Sequence, residues 1–207
     1  MEDVLDLYEQ PCDPKRPVIC FDERPCQLIG DAIIPMPIKP GSIRKEHYEY
    51  VRNGTCCIFL AFEPRTGKRM TSVKERRTKV DYADFMRNIV NQYPDAETIL
   101  LVQDNLNTHT AGSFYEAIPP EEAFKLAKRF EYHYTPKKGS WLNMAEIELS
   151  ALSKQCLDRR IANIEILAGE VSAWEQERNA VGATVRWKFN KCNARKKLQR
   201  HYSNLQN

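Results

Sequence analysis

The chain predicts a mixed α/β domain in which antiparallel strands come first and helices cross between the later strands. Three observations carry this. Apolar runs of strand length recur from residue 18 to residue 135, and helical periodicity enters only after the third of them. Two of the runs lead into aspartate: Val18-Ile19-Cys20-Phe21-Asp22 and Ile99-Leu100-Leu101-Val102-Gln103-Asp104. A glutamate, Glu146, then follows in a helix-like segment, Ser140-Trp141-Leu142-Asn143-Met144-Ala145-Glu146.

Residues 1–16 read as a lead-in punctuated by Pro11 and Pro14. The first strand covers 18–21, and a proline-rich linker over 33–41 follows it. Residues 55–62 form an apolar strand, Pro64-Arg65-Thr66-Gly67-Lys68 is its turn, and 69–74 is the return strand. The Thr-Gly-Lys of that turn lacks the flanking residues of a phosphate-binding loop. Tyr82, Phe85, Met86, Ile89, Val90 and Tyr93 recur at three- and four-residue steps, so 81–93 is a helix with Asp81 as its cap. The continuous apolar run 98–102 reads as a strand buried on both faces. Pro119-Pro120-Glu121-Glu122 opens a helix to about residue 129, with proline and acids where a first turn accepts them. A strand at 131–135, a helix from 139–140 carrying Glu146, and a helix at 164–178 complete the order. Five strands and their helices in this order predict an RNase H-like fold: a mixed five-stranded sheet flanked by helices over residues 17–180. A basic C-terminal extension follows at 181–207.

Composition narrows the class. At 207 residues, 42% hydrophobic and 29% charged, the chain is an ordinary globular one with room for a sizeable core. No apolar run is long enough to cross a membrane, and Met1-Glu2-Asp3-Val4 has no signal-peptide character, so the expectation is a cytoplasmic protein without a membrane partner. Seven cysteines, with no Cys-x-x-Cys pair, give no zinc pattern. The net charge of +3 is unevenly spread: residues 178–207 carry eight basic side chains and no acidic ones, whereas the first 177 carry 23 basic against 28 acidic. A basic segment on a mildly acidic body suggests a polyanionic partner.

The carboxylates suggest the chemistry. If the strands ending near Asp22 and Asp104 are parallel neighbours, their ends lie about 5 Å apart, and two carboxylates there can bridge a divalent ion. Oxygen ligands select Mg²⁺ or Mn²⁺ over zinc. The helix face set by Leu142, Ala145, Leu149, Leu152 and Cys156 puts Glu146 roughly 65° from its centre, at the flank nearest the sheet, and Glu148 roughly 95° away on the other flank. Glu146 is favoured as the third ligand, with Glu148 left open. Glu23 is set aside, because alternation turns it to the face opposite Asp22.

These residues also carry a resemblance. Ile19-Cys20-Phe21-Asp22-Glu23, Asp104-Asn105-Leu106-Asn107-Thr108-His109 and Trp141-Leu142-Asn143-Met144-Ala145-Glu146 resemble the DDE transposases of bacterial insertion sequences in the mariner-like superfamily. The likeness extends over roughly 16–200 and includes Tyr50-Val51-Arg52-Asn53-Gly54 and Tyr134-Thr135-Pro136-Lys137. It implies that Asp22, Asp104 and Glu146 are the catalytic, metal-binding triad for two Mg²⁺ or Mn²⁺ ions. It implies double-stranded DNA as partner, cut at terminal inverted repeats and joined to target DNA. Asn105 and His109 fall in the family motif as supporting residues. Trp141 and Asn143 are expected to lock the helix start rather than touch DNA. Lys137, Lys138, Arg195, Lys196 and Lys197 are the expected phosphate contacts. Full-length relatives begin with helix-turn-helix modules, for which 17 residues leave no room, so the expectation is a catalytic domain served by a homodimer partner or a separate helix-turn-helix chain. The competing readings are an RNase H-type nuclease and an inactive, transposon-derived DNA-binding protein.

Overall fold

The structure, a computed structural model, describes residues 1–33, 40–41 and 47–199. The linker expected over 33–41 falls mostly outside the described residues. The five expected strands are present: β1 (Val18–Asp31), β2 (Tyr50–Glu63), β3 (Lys68–Lys74), β4 (Ile99–Gln103) and β5 (Phe130–Tyr134). They form one sheet in the order β3-β2-β1-β4-β5. The first three are antiparallel, and β4 and β5 add on in parallel beside β1, as the RNase H-like order requires. The β2–β3 turn closes at Gly67, whose φ of 77° is the left-handed conformation that glycine adopts without strain.

Alternation along the central strands divides the core into two layers. Ile19, Phe21, Ile99 and Leu101 face one side, where α2 (Lys79–Gln92), α3 (Gly112–Ala117) and α4 (Pro120–Ala127) pack. Cys20, Leu100 and Val102 face the other, against α1 (Glu2–Glu9), α5 (Ala145–Gln155) and α6 (Ile164–Val181). All five residues of β4 are buried, as its unbroken apolar run predicts. In α2, Thr78 rather than Asp81 is the cap. Asp81 stands at the third helical position and answers Thr78 in a capping box.

Besides α3 and the earlier start of β2, three differences from the sequence reading bear on the site. Residues 2–9 of the expected lead-in form α1, whose Val4, Leu5 and Leu7 are buried in the core. Each such side chain contributes about 1.5–3 kcal/mol by leaving water. The helix expected from 139–140 is instead a 3₁₀ turn over Ser140–Leu142, followed by α5 from Ala145. The buried Asn143 between them accepts the Ala145 N–H at 3.1 Å and so starts the new helix. Third, β1 does not stop near Asp22. It runs on to Asp31, paired only with β2, because β4 has ended and the open edge accommodates Pro25.

The C-terminal segment packs back on the body. Val185 N–H donates to the Pro64 carbonyl at 3.1 Å, and Trp187 meets Tyr8 edge-on with ring centroids 5.5 Å apart. Trp141, expected against the sheet, instead stacks on Trp187 and stands edge-on to Phe189 of this segment. A last helix, α7 (Lys191–Lys197), lies against α1 through the Arg195–Glu2 pair at 2.7 Å and the Lys191–Asp6 pair. Residues 200–207 lie outside the described residues.

Candidate active site

The parallel pairing fixes where the two aspartates meet. β1 and β4 are in register as Val18 to Leu100, Ile19 to Leu101 and Cys20 to Val102. Two residues on, Asp22 and Asp104 are equivalent positions, both on the α5 side by alternation. Asp22 sits within β1, and Asp104 is the first residue beyond β4.

Asp22 is held from two sides. Its Oδ1 accepts the Glu23 N–H at 2.8 Å. Asn143 Nδ2 reaches its Oδ2 at 3.3 Å and the Phe21 carbonyl at 2.7 Å. Asn143 therefore ties the start of α5 to β1 at the aspartate, as expected. Burial pushes the Asp22 carboxyl up to about 7, against the Glu23 N–H, which favours the charge. The charges of Glu146, Asp104 and Glu23 raise it further, so the three candidate ligands share one electrostatic neighbourhood.

Asp104 is oriented by the turn that follows it. His109 Nδ1 lies 2.5 Å from Asp104 Oδ1, and His109 Nε2 lies 2.6 Å from Glu23 Oε2. The imidazole is buried, parallel to the Tyr82 ring at 5.1 Å and edge-on to Phe21 at 5.1 Å. Its backbone carbonyl accepts from Gln103 Nε2 at 2.8 Å, and Gln103 in turn accepts from the Tyr82 hydroxyl at 2.8 Å. Burial disfavours the imidazolium, but the carboxylates of Asp104 and Glu23 outweigh it and push the group up to about 9. His109 is therefore a cation at neutral pH and bridges two carboxylates. Asn105 is exposed in the same turn.

Glu146 and Glu148 share the first turn of α5 and have opposite surroundings. Glu146 is exposed and opens onto a groove beside Glu23 and Arg24 of β1. Glu148 is buried, paired with Arg69 at 2.5 Å and with Arg178 at 2.9 Å. Glu148 spends both oxygens on guanidinium groups, whereas the Glu146 carboxylate is exposed and its charge reaches Asp22.

The donor set is made of carboxylate oxygens, the chemistry of a hard divalent cation. Among the described residues, no three acidic, histidine or cysteine side chains are drawn together at ligand distance. Asp104 is instead turned onto His109, leaving its Oδ2 as the oxygen not held by the imidazole. Asp22 is half-buried and is raised first by burial and then by the charges of Glu146, Asp104 and Glu23, which a cation would relieve. The donor type, carboxylate oxygen, is the one Mg²⁺ and Mn²⁺ prefer.

Of the expected phosphate contacts, Lys137 and Lys138 are exposed in the loop before the 3₁₀ turn. Lys196 and Lys197 are exposed on α7, whereas Arg195 is engaged by Glu2. Glu23 was passed over in sequence. Alternation does turn it to the opposite face, but the Asp104–His109 turn folds over the edge of β1 left open beyond β4 and meets it there. The signal available was a second carboxylate next to Asp22 together with a histidine five residues after Asp104.

A mixed RNase H-like sheet with aspartates at equivalent positions just past a parallel pairing, and an exposed glutamate in the first turn of a packed helix, is the arrangement expected of carboxylate-site nucleic-acid enzymes. The chain belongs to the DDE superfamily endonucleases, whose family model matches residues 17–168. No curated protein matches it in sequence. Among solved structures it is similar to the Mos1 mariner paired-end complex with Mn, at TM-score 0.58 and 14% identity over 87% of this chain and 55% of that one. It is similar also to the Mos1 strand transfer complex, at TM-score 0.57 and 14% identity over 87% and 54%. A pre-cleavage Mos1 transpososome aligns at TM-score 0.55 and 12% identity over 89% and 60%. These likenesses establish the fold, and the chain spans a little over half the length of the Mos1 chains. Among the described residues, no helix is long and apolar enough to cross a membrane.

Proposed function

We propose that this chain is the catalytic domain of a DNA transposase. It hydrolyses phosphodiesters at transposon ends and joins the freed 3′-hydroxyl to target DNA. The observation that carries the reading is the register match of Asp22 and Asp104, with Glu146 close enough to raise the Asp22 carboxyl. Family membership supports it, as does likeness to chains solved in paired-end and strand transfer complexes.

Asp22, Asp104 and Glu146 are the residues that would hold Mg²⁺ or Mn²⁺, as two ions. When bound, such a pair generates the nucleophile and stabilises the leaving oxygen. His109 fixes one oxygen of Asp104 and leaves the other for the metal, and Asn143 fixes the angle of Asp22. Both are positioning residues, and Asn105 supports the same turn. Exposed Lys137 and Lys138 would neutralise phosphates next to the scissile one, with Arg195, Lys196 and Lys197 further along the duplex. The partners are double-stranded DNA, a second copy to pair the two ends, and a separate helix-turn-helix chain to read the repeat. A cytoplasmic location goes with this reading.

The test is nicking of supercoiled plasmid in Mn²⁺ by the wild type and by Asp104→Asn. The expected result is metal-dependent nicking that the substitution abolishes. Equal nicking by both would overturn the site assignment. Nicking confined to the RNA strand of a hybrid duplex would replace the reading with an RNase H-type nuclease.

A further inference from the structure

Glu146 stands at the head of an open trough of about 260 Å³ between α5 and the part of β1 beyond Asp22. Its walls include Arg24 and Pro25 from β1 and Glu146, Ser150, Ser153 and Lys154 from α5. The helical residues repeat at three- and four-residue steps, so they form one stripe running away from the carboxylates. At 1.5 Å per residue the stripe is about 12 Å long, room for about three successive phosphates of one strand.

The donors along it are prepared for an anion. The Ser153 hydroxyl donates to the Leu149 carbonyl at 2.5 Å, and its oxygen accepts from Arg24 Nη1. Ser153 is thereby satisfied and pins the guanidinium over the trough. Five N–H donors belong to each guanidinium, so Arg24 keeps others to offer. Lys154 is exposed and has no ion-pair partner among the described residues, and Ser150 is exposed beside it. Glu23 and Leu149 also line the trough, and the Glu23 carboxylate is engaged by His109 and Arg77.

Building on the proposed function, we infer that this trough is a binding track for the phosphate backbone of one DNA strand. Arg24, Ser150 and Lys154 contact the phosphates that continue from the scissile one, and Ser153 is a positioning residue for Arg24. The track leaves the site along α5, separately from Lys137 and Lys138.

The experiment measures binding of a fluorescein-labelled DNA duplex by anisotropy across a salt series, with Ca²⁺ replacing Mn²⁺ so that no cleavage intervenes. Each lost phosphate contact lowers the slope of log K against log salt by about 0.9, so Arg24→Gln with Lys154→Gln lowers it by about two. Ser150→Asp, an exposed substitution, weakens binding by adding a like charge. Melting curves and Mn²⁺ titration report that each variant is folded and keeps its carboxylate site. Wild-type slope and affinity in all these variants would overturn the track. Loss of nicking in Asp104→Asn alongside that result would leave the proposed function standing, whereas nicking unaffected by Asp104→Asn would overturn the function itself.

Discussion

Truncation of Glu148 should unfold this protein far more readily than truncation of Glu146, though the two stand two residues apart in one helical turn. Arg69 is almost wholly buried. Among the described residues its guanidinium otherwise meets the backbone carbonyls of Ala183 at 2.6 Å, Arg178 at 3.5 Å and Gly67, and the face of Phe62 at 4.7 Å. Glu148 is thus the carboxylate that neutralises it, and also pairs with Arg178. Glu148→Ala would leave one buried and one half-buried guanidinium uncompensated, a loss of about 3–5 kcal/mol. For a chain of this size that lowers Tm by about 6–20 °C. Alanine is the best helix former, so helix propensity contributes nothing to the loss. Glu146→Ala removes an exposed charge from a cluster of like charges, and its Tm should stay near or slightly above that of the wild type. Thermal unfolding followed by circular dichroism at pH 7 measures both. The effect also has a pH signature. Burial alone would raise the Glu148 carboxyl, but Arg69 and Arg178 outweigh it and hold it below its ordinary 4.5. The pair's stabilisation is therefore complete above about 4.5 and is lost as pH falls through the depressed value. A Glu148→Ala protein that melts within about 2 °C of the wild type, or a larger loss in Glu146→Ala, would refute the assignment of the two glutamates.

Three further outcomes follow from the site. His109, raised from 6.5 to about 9 by Asp104 and Glu23, should stabilise the fold fully below pH 6.5 and cease to do so as pH rises through 9; the imidazole NMR titration should show that value and drop in Glu23→Gln. Asn143→Ala removes the donor to the Phe21 carbonyl and the acceptor for the Ala145 N–H, leaving buried groups unsatisfied, and should cost about 1–3 kcal/mol in urea unfolding. Because the Asp22 carboxyl is pushed up to about 7, Mn²⁺ binding at pH 6 should release a proton, read by calorimetry in two buffers of different ionisation enthalpy, and release should vanish in Asp22→Asn.

The sheet was readable because its signals are local. The run 98–102 has no polar residue to turn outward, so burial on both faces followed from the residues alone, and the β2–β3 hairpin was marked by its own Pro-to-Gly turn. What escaped was set by distant partners. α1 looks like a charged, proline-flanked leader until α5, α7 and β5 supply surfaces for Val4, Leu5 and Tyr8. The eight positive charges beyond residue 177 read as a free polyanion patch, yet two of their number, Lys191 and Arg195, are matched by Asp6 and Glu2 at the opposite end of the chain. A helical wheel favours Glu146 without excluding Glu148, because it cannot know that Arg69 of β3 and Arg178 of α6 converge on the latter.

Glu23 shows most sharply where pattern reasoning stops. Period-two alternation assigned it the face away from Asp22, and that assignment is right, since it sits with Phe21 on the α2 side. Alternation alone does not anticipate a contact made across the open edge of the sheet. Where β4 ends, the chain is free to fold over the rim of β1, and the five-residue step from Asp104 to His109 carries an imidazole to the far face. A cation placed there holds a carboxylate from each face, one at 2.5 Å and one at 2.6 Å. That arrangement couples the angle of Asp104 to the packing of the α2 layer, through Tyr82 and Phe21 against the ring. Side chains of the core on the opposite face are thereby part of what would set the proposed metal site.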